Sequence, residues 1–213
     1  MREAFKNKRG VQFGLNNFLT DLMFADDSAV FADADAKATN ILYNITHIAQ
    51  SYGLKINADK TKVITTDGSS ANIYLDGIQI EQVEKFKYLG SLLQEKKVAS
   101  TTEVYSRIGQ ATAAFASLKW CLWKKHNITI KTKIHLFQTL IIPILLYGSE
   151  TWTTLKSDVK KLETFQLRYL RQILDVSLCD HYQNETVRMK CDNQPLIKEQ
   201  IQKCRRQWFD HVC

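Results

Sequence analysis

The sequence predicts an α+β protein: an antiparallel sheet with a packed helix in residues 1–95, then an all-helical domain over residues 100–213. Three observations lead there. Before residue 95, short runs alternate between apolar and polar positions, the period of strands with one buried face. After residue 100, apolar residues recur every three or four positions, the period of helices. The polar stretch "EKKVAS" (95–100) separates the two patterns.

The elements follow in order. "LMFADDSAVF" (22–31) is an apolar run interrupted by Asp26 and Asp27, which predicts strand, turn, strand. Two explanations stand for the acids. Asp is a common turn residue because its side chain bonds nearby backbone. Adjacent carboxylates also repel, and a hard cation such as Mg²⁺, which takes one or two carboxylates plus substrate phosphates, offsets that repulsion. The next stretch, residues 36–52, is expected to be one helix, with Ala38, Ile41, Leu42, Ile45, Ile48, Ala49 and Tyr52 on its inner face. Asp33 or Asp35 is available as its cap and Gly53 as its stop. "LKINADKTKVITT" gives a short extended piece, a turn, and a strand at 61–66. "NIYLDGIQIEQV" is a hairpin signal around Asp76-Gly77, a pair that favours two-residue turns. "FKYLGSLL" (86–93) closes the series as another strand.

The helical half opens at "STTE" (100–103), which fits a capping box. The helix it starts runs to about Lys124, with Val104, Ile108, Ala111, Phe115, Leu118 and Leu122 on one face. A second helix covers about 130–147 and contains Pro143, which kinks it or ends its first part. A third begins at Ser157 and turns Leu162, Phe165, Tyr169 and Ile173 inward. The last starts near Pro195 and carries Ile201, Cys204 and Trp208.

Composition bounds the function. With 45% hydrophobic and 24% charged residues, only two prolines and no internal repeat, the 213 residues suit a globular protein rather than a low-complexity one. The polar start "MREAFKNKRG" lacks the apolar core of a signal peptide, and "LIIPILLYG" (140–148) is too short to span a bilayer. A nuclear or cytoplasmic protein without a membrane segment is expected. Five cysteines, an odd set, are then free thiols by default, and the sequons at Asn44, Asn127 and Asn184 carry no information. Cys179, His181, Cys191, His211 and Cys213 match no common zinc spacing. The net charge of +7 is uneven: residues 1–100 hold 12 Lys/Arg and 12 Asp/Glu, whereas residues 101–213 hold 17 and 10. A basic half suits phosphate backbones, although an ordinary solvated surface also explains it.

Several stretches, in order, resemble the reverse transcriptases of non-LTR (LINE-like) retrotransposons. "FADD" resembles their aromatic-x-Asp-Asp hairpin, "YGLKINADKTKVI" (52–64) the next motif, and "FKYLGSLL" the strand after it, while "LLYGSETW" and "RRQWFDHV" resemble downstream segments. The resemblance implies the later part of a right-handed polymerase palm over residues 1–95 and a helical thumb with its extension over 100–213. It implies Asp26 and Asp27 as Mg²⁺ ligands and catalytic residues, Asp26 the more essential, and Lys60 as a source of positive charge or a proton near the leaving phosphate. Lys60 is equally a solvated turn lysine. Leu89 and Gly90 would meet the primer end, and Phe24 would pack beneath the nucleotide surface. Lys119, Lys124, Lys125, Arg168 and Arg171 are candidates for contacting the nucleic-acid backbone. The implied partners are an RNA template with a DNA primer, or an RNA–DNA hybrid, and a dNTP where fingers are supplied.

One departure qualifies the resemblance. Such polymerases place another metal-binding Asp and the fingers well before the hairpin, and only Glu3 and Asp21 precede Phe24 here. Asp21 lies five residues before Asp26, an odd offset that turns it to the opposite face of an extended segment. An RNA-directed DNA polymerase segment that is inactive alone is therefore expected. The alternative is a nucleic-acid-binding module without catalysis.

Overall fold

The computed structural model describes residues 10–13, 15, 17–95 and 100–212. The chain divides into two compact units, Met1–Lys96 and Lys97–Cys213. Most of the expected boundary, residues 96–99, lies outside the described residues, as do Glu3 and Cys213.

The first unit mixes strands with one helix. β1 (Val11–Phe13) pairs with β2 (Asn17–Leu19), and β3 (Asp21–Phe24) with β4 (Asp27–Val30). Helix α1 (Asp35–Ser51) follows, and then β5 (Lys62–Val63), β6 (Tyr74–Leu75), β7 (Ile78–Gln79), β8 (Glu81–Gln82), β9 (Lys85–Tyr88) and β10 (Ser91–Gln94). Among the described residues, the expected antiparallel sheet is instead five two-stranded ladders, of which β5–β8 is parallel. The strands are short, and four of the five ladders close between sequence neighbours.

The Asp76-Gly77 turn forms as the pair suggests, both residues having positive φ, with Leu75 opposite Ile78. "FKYLGSLL" is a hairpin rather than one strand. Leu89 (φ 48°) and Gly90 (φ 83°) reverse the chain between β9 and β10, and positive φ at both loop positions is the backbone of a type I′ turn. The strand expected at 61–66 shrinks to the two residues of β5.

Helix α1 holds this unit together. Ile41 and Ile45 pack with Val30, Ile48 and Ile56, while Ala38 and Leu42 pack against a second cluster of Ala71, Ile73, Leu75 and Ile80. Neither expected Asp caps the helix. Its N-cap is Ala34, Asp33 accepts from Lys37 Nζ (2.8 Å), and Asp35 accepts the Asn72 backbone N–H (2.9 Å). Lys37 holds the Asp33 carboxyl below its ordinary pKa through that hydrogen bond. Gly53 ends the helix at φ 73°, and Tyr52, beyond its last turn, is exposed rather than inward.

Among its described residues, the second unit contains helices joined by turns and loops, and no strand. It comprises α2 (Thr101–Ser117), a π-helical turn (Lys119–Trp123), α3 (Ile130–Leu136), a second π-helical turn (Phe137–Ile141), α4 (Ile142–Leu145), α5 (Lys156–Leu174), α6 (Asn184–Lys190) and α7 (Ile197–Val212). Pro143 neither ends nor breaks the helical run that starts at Ile130. Proline lacks an N–H and crowds the carbonyl four residues back, and the wider turn at 137–141 spans that carbonyl.

One cluster, built on Val104, Phe115, Phe137, Leu162, Phe165, Tyr169 and Ile173, fills the unit. Phe115 stacks on Trp123 (centroids 4.5 Å, 6°) and meets Tyr169 (4.2 Å) and Phe137 edge-on (6.2 Å). Buried in the same cluster is Cys191, and burial pushes its thiol up to about 11. The capping box expected at Ser100 and Glu103 does not form. Ser100 Oγ accepts the Thr153 N–H (3.0 Å), and Glu103 pairs with Arg107 (2.7 Å) inside the fold. Trp208 is 52% exposed, because α7 is buried only along its first turns, at Ile197 and Ile201. No described helix is long and apolar enough to cross a membrane.

Candidate active site and nucleic-acid interface

The β3–β4 hairpin presents the acids. Ala25 and Asp26 form its two-residue loop, and Asp27 opens β4 opposite Phe24. Ala25 has φ 53°, a left-handed conformation that glycine usually supplies at the first position of such a loop. The register separates two faces. Leu22, Phe24, Asp27 and Ala29 share one, and Asp21, Met23, Ser28 and Val30 share the other. Val30 packs with Ile41 and Ile45 of α1, so Asp27 stands on the face turned away from the helix. Asp26 and Asp27 are both exposed. Phe24 is 64% exposed, which overturns its expected packing role, since it lies on the uncovered face.

Asp21 is on the helix side, opposite Val30, and does not join Asp27. Among the described residues, no group of three or more His, Cys, Asp or Glu side chains is arranged to hold a metal ion. Two carboxylates suit one hard cation that takes its other oxygens from water and phosphate.

Two further motifs lie in the same unit. The Asn57 side chain accepts the Lys60 backbone N–H (3.1 Å), and the Asn57 backbone carbonyl accepts from Thr61 N (3.0 Å) and Oγ1 (2.8 Å). This local turn leaves Lys60 exposed. In the β9–β10 hairpin, the Tyr88 hydroxyl donates to the Leu22 carbonyl (3.1 Å), which ties the Leu89-Gly90 turn to the hairpin that carries the acids. No signal in the sequence marks this bond, because it ends on backbone.

The basic candidates of the second unit differ in their partners. Lys124 pairs with Asp175 (2.9 Å), and this hydrogen bond holds the Asp175 carboxyl below its ordinary value. Arg171 donates to the Tyr182 carbonyl (3.2 Å) and Asn184 Oδ1 (2.8 Å), a brace between α5 and the start of α6. Arg168 is exposed beside the Tyr169 ring (5.8 Å). Lys119 and Lys125 are exposed on or beside the first π-helical turn.

Residues 6–93 match the reverse transcriptase (RNA-dependent DNA polymerase) family. That match covers 88 of the 213 residues, 6 to 93 inclusive. The matched region contains the FADD, GLKIN and YLG segments on which the resemblance rested. The chain is 26% identical over 203 residues to an uncharacterized transposon-derived protein of Caenorhabditis elegans, covering 91% of this chain and 71% of that protein. It is 27% identical over 161 residues to the RNA-directed DNA polymerase of the mobile element jockey of Drosophila melanogaster, covering 70% of this chain. It is 27% identical over 207 residues to a Drosophila protein named as a probable RNA-directed DNA polymerase of transposon BS, covering 89% of this chain. The chain spans 22% of the BS protein and 17% of the jockey protein. No solved structure matches it.

Proposed function

We propose that this chain is the later palm and the thumb, with its helical extension, of a non-LTR retrotransposon reverse transcriptase, and that these 213 residues alone do not extend a primer. The observation that carries the reading is the acid hairpin: Asp27 on the uncovered face, Asp26 at the loop, and Val30 anchoring the opposite face to α1. Asp26 and Asp27 are the residues that would hold Mg²⁺. When bound, the cation neutralises phosphate charge and activates an oxygen nucleophile.

The chain's own residues have separate tasks in this reading. Lys60, on its Asn57-ordered turn, supplies positive charge near a leaving phosphate. Leu89 and Gly90, whose turn is fixed by positive φ, meet the primer end, and Gly90 permits close backbone approach. The basic second half follows the phosphate backbone of template and primer, with Lys119, Lys125 and Arg168 as its exposed cations and Lys124 and Arg171 contributing through partly engaged groups. Catalysis stops short because two carboxylates fix at most one cation, whereas in-line phosphoryl displacement in such enzymes uses two ions about 3.5–4 Å apart.

The test is primer extension on an RNA template with Mg²⁺ and dNTPs, run beside a binding titration on the same primer–template. The expected result is binding that weakens linearly on a log–log salt plot, without extension. Extension that disappears in Asp26→Ala would overturn the claim of inactivity. Absence of binding at about 0.1 M salt would overturn the functional reading itself. The charge asymmetry favours a second reading, a nucleic-acid-binding module without catalysis. That reading is supported if binding survives Asp26→Ala and no supplied polymerase segment restores extension.

A further inference from the structure

We infer that Trp120, with Lys119 and Lys125, forms a stacking platform for an unpaired nucleotide, so that the second unit grips single-stranded nucleic acid as well as duplex. This rests on the functional reading above and adds to it a residue and a strand type. The platform begins with the two tryptophans of the π-helical turn at 119–123. Trp123 goes inward: it stacks on Phe115 and donates its indole N–H to the Phe115 carbonyl (2.8 Å). Trp120 goes outward and is 74% exposed. The core therefore uses one indole of this turn and leaves the other in water.

The surroundings select the ligand. Between Glu103 and Glu150 the sequence contains no acidic residue, while Lys119, Lys124, Lys125 and Lys131 stand exposed in that span. Lys119 Nζ sits 5.0 Å from the Trp120 ring centroid, and among the described residues Lys119 and Lys125 form no ion pair. Lys124 is shared with Asp175. A flat, exposed aromatic face beside exposed cations matches a base with its phosphate: the ring stacks and the ammonium groups follow the backbone. A base in a duplex is already stacked on both faces, so only an unpaired one gains from the indole. An acidic peptide would be drawn by the lysines, but it has no flat ring to reward Trp120.

The experiment titrates the full chain against a fluorescent oligothymidylate and against a blunt duplex of equal length, at several salt concentrations. Trp120→Ala is expected to weaken single-strand binding about tenfold, with duplex affinity changed by less than about twofold and the salt slope unaltered. Trp120→Phe, which keeps a ring, is expected to retain most of the affinity and controls for folding together with the thermal unfolding midpoint. Lys125→Ala is expected to lower the single-strand salt slope by about 0.7. Unchanged single-strand affinity in Trp120→Ala overturns the platform, and so does an equal loss on both ligands. Self-association of the wild-type chain that vanishes in Trp120→Ala makes the indole a protein contact and also overturns it. Duplex binding with an indifferent Trp120 leaves the functional reading standing, whereas failure to bind either ligand removes both.

Discussion

The two units spend their apolar residues differently. In the second, a single aromatic ring, Phe115, touches Trp123, Phe137 and Tyr169, so that α2, α3, α5 and both π-helical turns share one core. In the first, α1 serves two smaller clusters, and Leu22 and Phe24 lie on a face that α1 does not cover. The unit with the continuous core carries the basic surface, and the unit with the divided core carries the acid hairpin. A divided core allows short hairpins to present turns to solvent, at the cost of interior contacts that would stabilise them.

The sharpest way to break this comparison is to delete one side chain from each core. Phe115→Ala should cost about 3–5 kcal/mol, because the lost ring meets Trp123, Phe137 and Tyr169 at once. Ile45→Ala should cost about 2–3 kcal/mol and leave the second unit unchanged. Urea unfolding followed by Trp fluorescence for the second unit and by hydrogen exchange for the first reads each loss separately. Equal losses, or a loss that crosses between units, would erase the distinction. A comparable effect is expected from Glu103→Gln, which takes the carboxylate from the buried Arg107 guanidinium, 4.5 Å over the Tyr147 ring. That should cost about 3 kcal/mol in thermal unfolding of the second unit, and a cost below about 1 kcal/mol would show the pair behaving as a surface one. The smallest change runs the other way. Ala25→Gly relieves about 1–2 kcal/mol of left-handed strain and loses about 0.4–1 kcal/mol through added freedom in the unfolded chain. The first unit should gain about 0.5 kcal/mol, visible as slower exchange of β3–β4 amides, and faster exchange would contradict the strain.

Much of this was legible in the residues, for reasons that differ by element. Leu162, Phe165, Tyr169 and Ile173 of α5 all face inward, as their spacing required. Asp76-Gly77 turns where its residue types favour a turn. The YLG hairpin was hidden because Leu89 is not a turn residue and adopts its positive φ only in context. The π-helical turns have no periodic signature, so the spacing of residues 100–124 reads as one regular helix, and Pro143 reads as a kink or stop rather than as part of a continuous run. Ser100 and Glu103 matched a local capping pattern, yet their partners, Thr153 and Arg107, are supplied by the tertiary fold and by the next helical turn. At the candidate site, residue types revealed the acids, but alternation cannot tell which face of a hairpin is covered. Phe24 was therefore expected inside and stands outside.

The hydrogen bond from Tyr88 to Leu22 also bears on which substitutions the chain can absorb. Its acceptor is a main-chain carbonyl, so position 22 is free to drift among strand-forming residues without losing the tie. Its donor is a phenol, and no other common side chain offers a hydroxyl at that reach. Selection on the geometry of the acid loop would thus fall on Tyr88, 66 positions after Leu22, and spare the loop's own neighbour. A lineage released from that selection should show the change at Tyr88 before any change at Leu22 matters.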